Sequence, residues 1–446
     1  MRAPVLERLL ASARRRGAVE ADAFLVEEEE LTLQVRLGQV ESLRHARERH
    51  CSLRIFTETG SASATTSDLS PAALERLVDE TLALAAVARR DEHSGLPAPE
   101  ALARAIPDLD LLDAEGHAPP LEEKIAVARR AEAAALGFGP RVTTSEGAEF
   151  WDRRACVAYA SSAGFAGGFE ASIFAFSVTP VAVQDGEMQR DYWYTGARTL
   201  AGLEPPELVG EIAARRALRR LGARKLETQE VPVVFDPETA ASLVRTLTIA
   251  ATGPSLYRGA SFLVGKLGER IATPAVTIID DALMPNGLGS RPFDGEGVAS
   301  RRVVLVDRGV LASYLLDTYS ARKLGLAATG HAMREPGGGV GVGHTNLYLV
   351  PGPHSPEEII ASVDRGLYVT ELIGFGVNFV TGDYSRGAVG LWIENGELAY
   401  PVEEITIAGN LLKMLQDVEL VGNDLTFRDQ SAAPTLKIAR MTVAGH

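Results

Sequence analysis

The side chains best placed to do chemistry lie between Asn378 and Asp424, where Thr381, Asp383, Tyr384, Ser385 and Arg386 form a polar cluster between Gly382 and Gly387. An alternating strand follows, then an Asn395-Gly396 turn, a second strand and a short amphipathic run. Asn-Gly is the favoured pair for a tight hairpin, and glycines let a backbone crowd a ligand or another chain. Arg386 can donate to carbonyls or to a carboxylate, with Asp383 close enough in sequence to hold it in position. A looser echo, Asp317-Thr318-Tyr319-Ser320 with Arg322, repeats the acid-tyrosine-serine-arginine order and reads as coincidence. His344 and Asn346 end the glycine stretch from Gly337, which is expected to be a mobile loop.

Familiar catalytic words are missing. There is no GxSxG elbow and no GxxxxGK[ST] phosphate loop, and Gly265-Lys266 has neither the spacing nor the following hydroxyl residue. Gly339, Gly341 and Gly343 fall short of GxGxxG because His344 interrupts the match. A helical zinc site needs two histidines about a turn apart, with a glutamate beside the first as general base. Of the eight histidines, His45 and His50 have the separation of HExxxH, but no glutamate follows the first (HARERH), and the region reads as strand and turn. Asp280-Asp281, at the end of an apolar run, is the best carboxylate pair and is expected to be solvated.

The elements that must position these groups fall into three units. Residues 1–112 open with an amphipathic helix (Leu6, Leu9, Leu10 and Ala13 inward), followed by β-rich runs around Gly38 and up to Gly60. Ser70-Pro71 then starts a helix as cap and first residue, with Leu74, Leu77, Val78 and Leu82 as its stripe. A Pro- and charge-rich linker from Asp91 to Pro120 follows. Residues 113–225 read as helix, antiparallel strands ending near Tyr192-Trp193-Tyr194, and a helix through Leu208, Ile212 and Leu218. Residues 226–446 begin with the strand Val231 to Phe235 and a helix capped by Asp236-Pro237, then turn to strands, including a hairpin at Asp307-Arg308-Gly309. Strand and helix do not alternate regularly, so the fold is expected to be α+β, with N-terminal α/β units and a β-rich C-terminal domain.

At 446 residues, 46% hydrophobic and 23% charged, the chain is long enough for about three domains. A net charge of −14 disfavours a nucleic-acid partner, which needs a basic face. No apolar run approaches the ~18–20 residues of a membrane span, and the first residues lack the apolar core of a secretory signal. Cys51 and Cys156 are isolated, which fits a reducing cytoplasm and no thiolate metal site.

The order GDYSRGAxGxWIENGE, YPVEEITIAGN, with TSDLSPxALxR, HSGLP, SLYRGASFLxxKLGExI, LLDTYSARKLGL and TNLYLxPG, resembles the TldD/PmbA family, long labelled a modulator of DNA gyrase or peptidase U62, and within it the PmbA (TldE) branch. The TldD branch resembles a metallopeptidase with HExxxH on a C-terminal-domain helix and a distant cysteine ligand. Matching LYRGASFL places Arg245, Thr246 and Ala250 at the histidine and glutamate positions, and Val421 to Asp424 at the cysteine's neighbourhood. The resemblance therefore implies a subunit with no catalytic residues and no metal of its own, paired with a zinc-bearing TldD-like paralogue and homodimeric when alone. It also implies an unfolded peptide as substrate. Asp383, Tyr384, Ser385, Arg386, His344, Asn346, Tyr319 and Arg322 are the candidates to line a substrate cavity; packing at a dimer interface is the alternative for the cluster. A free-standing peptide-binding or regulatory protein, or a peptidase using an unrecognised site such as Asp280-Asp281, are the alternative functions.

Overall fold

A computed structural model describes residues 3–113 and 119–445. His117 and His446, and the part of the linker at 114–118, lie outside the described residues. The molecule is α+β, with a curled N-terminal sheet and a C-terminal barrel.

The N-terminal sheet is one antiparallel surface. Strand Glu20–Arg36 pairs on one edge with Gln39–Phe56 and on the other with Val142–Ser161, which in turn pairs with Ala166–Gln184. The two units on either side of residues 112 and 113 thus share a single sheet. Leu37 and Gly38, with φ of 47° and 74°, make the first hairpin turn. The sequence suggests short β runs here, but the strands extend 17 and 18 residues. They cross the acidic run Glu27–Glu30, which would repel itself on a bare strand. The opposed strands relieve it: Arg47 sits 2.9 Å from Glu29, Arg153 3.4 Å from Glu28 and Arg49 3.6 Å from Glu27.

Helices cover one face of this sheet. Ala3–Arg15 and Pro71–Val87 bury Leu6, Leu9, Leu74, Leu77 and Val78 against Leu25, Leu53 and Ile55. Helices Leu121–Gly137 and Pro206–Leu218 pack on Phe150, Phe174 and Phe176 further along. They cross at Gly210, where a Cβ would collide with the carbonyl of Ala131.

In the C-terminal domain, Glu397–Asn410, Asp383–Glu394, Arg365–Ile373, Gln229–Phe235 and Leu436–Ala444 pair in that order. The last strand then pairs with the first through Thr406–Ala444, Ile407–Val443 and Ala408–Thr442, closing a barrel and leaving no open edge along that seam. Asn395 and Gly396, both at positive φ (52° and 80°), make the tight turn of its main hairpin. A second sheet holds Ile278–Asp281, Arg302–Asp307, Val310–Leu311, Leu347–Leu349 and Ser431–Ala432. One large core, including Phe235, Leu243, Leu247, Leu305, Leu367 and Trp392, binds barrel, helix and second sheet together.

The glycine stretch departs from expectation. Val340–Val342 pairs with Ala332–Arg334 as a hairpin, and Thr345 and Asn346 are fully buried, so the segment is ordered by pairing rather than loose.

Candidate functional site

Helix Pro237–Ala250 is the scaffold of the site. Asp236 caps it, its Oδ1 accepting from Thr239 N at 2.9 Å and Thr239 Oγ1 at 2.8 Å, with Pro237 at the first position. Asp236 Oδ2 also lies 3.4 Å from Arg216 Nη1, which ties the helix start to Pro206–Leu218 of the N-terminal layer. Arg216 completes the joint with Asp191 at 3.3 Å and the Thr370 carbonyl at 3.0 Å. On this otherwise mostly buried helix, Glu238, Ser242 and Arg245 recur at helical spacing and face a cavity of about 610 Å³ between the curled sheet and the barrel.

One wall is aromatic. Trp151 comes from one of the two long central strands, and Tyr192, Trp193 and Tyr194 from the segment after them. The Tyr192 and Tyr194 rings stack at 6.2 Å, and Trp193 carries the guanidinium carbons of Arg428 and Arg216 at 4.6 and 5.1 Å. The barrel supplies the opposite wall through Thr370, Glu371, Leu372 and Arg386. Glu238 Oε2 accepts the Tyr194 hydroxyl at 2.7 Å. Burial pushes the Glu238 carboxyl up, with that hydrogen bond opposing, and burial together with Glu238 pushes the Tyr194 phenol up as well. The arrangement offers flat apolar surface, hydrogen-bonding groups of both senses and guanidiniums to an extended ligand.

Of the residues singled out in the sequence, Arg386 lines this cleft. Its Nη1 donates to Ser242 Oγ at 3.0 Å and its Nη2 to the Leu372 carbonyl at 3.3 Å. Asp383 does not hold it. Three residues apart on a strand, the two side chains take opposite faces, and Asp383 accepts instead from Thr381 Oγ1 at 2.6 Å and Asn410 Nδ2 at 3.3 Å. Those hydrogen bonds keep its carboxyl below the usual range. Tyr384 is buried in the barrel core, where burial pushes its phenol up to about 12 against the nearby Arg386, and Ser385 is exposed on the other face.

The remaining candidates lie elsewhere. His344 is hydrogen-bonded to Ser431 Oγ at 2.9 Å, and burial pulls its imidazole pKa down. Asn346 is an internal brace, donating to the Asp281 carbonyl and Ser290 Oγ at 2.6 Å each and accepting from Gly289 N at 2.8 Å. It is fully buried. Tyr319 and Arg322 sit on helix Thr318–Leu324 and tether the His93–Leu96 segment: Tyr319 donates to Asp91 at 2.8 Å, and Arg322 to the carbonyls of His93 and Leu96 at 3.1 and 2.6 Å. The echo of Asp317–Arg322 with the Asp383 cluster is therefore one of letters only, a helix against a strand.

The proposed carboxylate pair also separates. Asp280 is buried rather than solvated, accepting from Thr345 N at 2.7 Å and from His331 Nε2 at 3.2 Å, and these partners outweigh burial to hold its carboxyl low. Asp281 turns to Leu283 N at 3.0 Å. His45 and His50, five apart on a strand, pair with Glu29 and Glu48 at 2.8 and 3.3 Å. Sequence reasoning did not single out Glu238, Ser242 or Trp151. The signal present was a polar stripe at positions 238, 242 and 245 on an apolar helix, and the Tyr192–Tyr194 aromatic run.

The positions matched to a zinc motif carry no metal donor set. Arg245 offers a cation, Thr246 Oγ1 donates to the Ser242 carbonyl at 2.9 Å, and Ala250 is a buried methyl. In the segment matched to the cysteine ligand, Asp424 accepts from Thr435 N and Oγ1 at 2.9 and 2.7 Å. Among the described residues, no group of three or more His, Cys, Asp or Glu side chains could hold a metal ion. The residues of this cleft do not fit zinc.

Comparison with known proteins agrees with the architecture. Family models of the PmbA/TldA metallopeptidase match in order: domain 1 over residues 21–85, the central domain over 115–221 and the C-terminal domain over 228–445. Metalloprotease PmbA of Escherichia coli O157:H7 is 39% identical over 93% of this chain and 90% of its own length. A crystal structure from Bacteroides thetaiotaomicron, carried under the gyrase-modulator label, is 27% identical with a TM-score of 0.92, covering 99% of this chain and 98% of that one. TldE from Thermococcus kodakarensis shares the fold, with a TM-score of 0.90 at 23% identity over 98% of this chain and 99% of that one. Three consecutive domain matches and a near full-length relative lead to one conclusion: the chain belongs to the PmbA/TldD metallopeptidase family.

Proposed function

We propose that this chain is the non-catalytic, peptide-holding subunit of a cytoplasmic peptidase complex. Its partner is a zinc-bearing, TldD-like paralogue, and the pair trims unfolded or modified peptides. One observation carries the reading. The helix that would bear a metallopeptidase motif lines a cleft, but its motif positions hold Arg245, Thr246 and Ala250 in place of metal donors, and of these only Arg245 reaches the cleft. A guanidinium, a committed hydroxyl and a methyl cannot activate water through a metal, while aromatic walls and hydrogen-bonding groups can hold a chain.

Several features support the holding role. The cleft lies between two layers joined through Arg216, so a bound chain touches both. Among the described residues no helix is long and apolar enough to cross a membrane. Burial pushes the Cys51 thiol up to about 12, which suppresses its reactivity. The near full-length relative is named a metalloprotease, and in this reading its counterpart here contributes to proteolysis through a partner. The test is elemental analysis of the purified chain after dialysis against a weak chelator. The reading expects no stoichiometric zinc, and one tightly held zinc per chain would overturn it.

A further inference from the structure

Within the cleft, one cationic side chain has no partner among the described residues. Arg245 makes no hydrogen bond or ion pair with any described residue, yet it lines the cavity from the helix. It stands three residues beyond Ser242, whose hydroxyl accepts from Arg386 at 3.0 Å. Arg386 lines the same cavity, and its Nε is buried without a hydrogen bond. Two guanidiniums, one from the helix and one from the facing barrel strand, and a hydroxyl thus line the same cavity. Like charges brought together repel unless an anion joins them.

The acids around the cavity do not fill that role. Asp191 is committed to Arg216 at 3.3 Å, Glu371 to Arg220 at 2.6 Å, and Glu238 accepts the Tyr194 hydroxyl. Glu149 and Asp429 are exposed at the rim. The interior is therefore locally cationic, with an acidic rim and an aromatic side wall. A free phosphate would be repelled by the rim and ignore the wall. A peptide end suits all three: its carboxylate meets the guanidiniums, its last side chain the Trp151 and Tyr194 rings, and its backbone N–H groups the rim carboxylates. A volume of about 610 Å³ has room for a few residues, not a folded domain.

We propose that this cleft captures the C-terminal carboxylate of an unfolded peptide through Arg245 and Arg386, with the terminal side chain against Trp151 and Tyr194. The assignment rests on the peptide-holding reading above and adds which end of the peptide is held. It places the peptide's C-terminus on this chain and leaves the upstream residues free to run toward a catalytic partner.

The test measures binding to the purified full chain by isothermal titration. The probes are an unstructured hexapeptide ending in Phe as the free acid, the same peptide amidated at its C-terminus, the amidated peptide with one internal Glu, and inorganic phosphate. The free acid should bind at least about tenfold more tightly than the amide. Arg245→Gln should collapse that difference, and Arg245→Lys should restore part of it. Arg245 holds nothing else in place, so neither variant removes a contact the fold needs. Equal affinity for acid and amide overturns the carboxylate assignment while leaving peptide holding intact. An amidated Glu peptide that matches the free acid, or phosphate that matches it, overturns the C-terminal assignment in favour of a side-chain or simple anion site. No binding of either peptide overturns both readings.

Discussion

Replacing Arg54 with alanine should loosen a second joint between the N-terminal sheet and the C-terminal domain. Arg54 leaves the N-terminal sheet with its Nη2 2.6 Å and Nε 3.3 Å from the two oxygens of Asp22, and its Nη1 reaches Glu296 of the C-terminal domain at 2.9 Å. Both carboxylates are buried, at 0% and 1% side-chain exposure, so neither can turn to water when the cation goes. The loss is unequal. Asp22 keeps Arg334 at 2.7 Å and the Tyr159 hydroxyl at 3.2 Å, whereas among the described residues Glu296 keeps only the Thr318 N–H at 2.9 Å. Breaking one partner of such a buried pair costs about 3–5 kcal/mol, most of it here from the stranded Glu296. Adding Glu296→Gln removes the stranded charge, so the double variant should recover about 1–3 kcal/mol relative to additivity. Urea unfolding followed by tryptophan fluorescence and by far-UV circular dichroism reads both quantities. A loss below about 1 kcal/mol for Arg54→Ala, or strict additivity of the pair, would refute the reasoning.

Arg386→Ala should lower peptide cleavage by the reconstituted complex while assembly stays intact, at a cost of about 1–3 kcal/mol in peptide affinity, roughly tenfold to a hundredfold; weakened assembly with unchanged cleavage per complex would place it at the interface instead. Phe375 is 98% exposed in the segment that also exposes Ile373 and Val380, and a homodimer through the C-terminal domain should bury it. Phe375→Asp should then shift light scattering from dimer to monomer with no change in melting, and a wild-type chain that stays at 47.5 kDa at all concentrations would contradict this. Burial and the neighbouring Glu296 push the Asp294 carboxyl up to about 7. Its folded value lies above the unfolded one, so its contribution is full below about pH 4 and is lost as pH rises toward 7. Asp22 is opposite in sign, since Arg334 and Arg54 overcome burial to lower it, and its contribution is lost as pH falls below about 4. Asp294→Asn should flatten the decline in stability from pH 4 to 7 in a urea series, and an unchanged slope would contradict the assignment.

Local chemistry was legible where a few adjacent residues decide the backbone. Asp236-Pro237 and Ser70-Pro71 cap their helices as read, and Asn395-Gly396 and Arg308-Gly309 turn at positive φ. Pairing across long sequence distances was not legible. Nothing near Thr406–Ala408 announces that residues 442–444 will close a barrel on it, nor does Glu27–Glu30 announce that arginines on two other strands will make it a strand. Glycine misled at 337–346, where small residues permit a close hairpin as readily as a loose loop. The cleft was only half visible for the same reason. Arg386 and Arg245 stood out as residue types, but the aromatic wall comes from strands some 50 to 90 positions away from the helix, and only the closed fold brings the two together. Asp383 was assigned to Arg386 by adjacency in sequence, which strand alternation overrides.

The central claim is that this chain holds peptide and leaves hydrolysis to a partner. Its most direct test is cleavage of one unstructured, fluorogenically labelled peptide by this chain alone, by a TldD-like paralogue alone and by the two mixed. The account predicts no turnover from this chain and a rate for the mixture well above the sum of the separate rates. Turnover by this chain alone, undiminished after chelation, would contradict it.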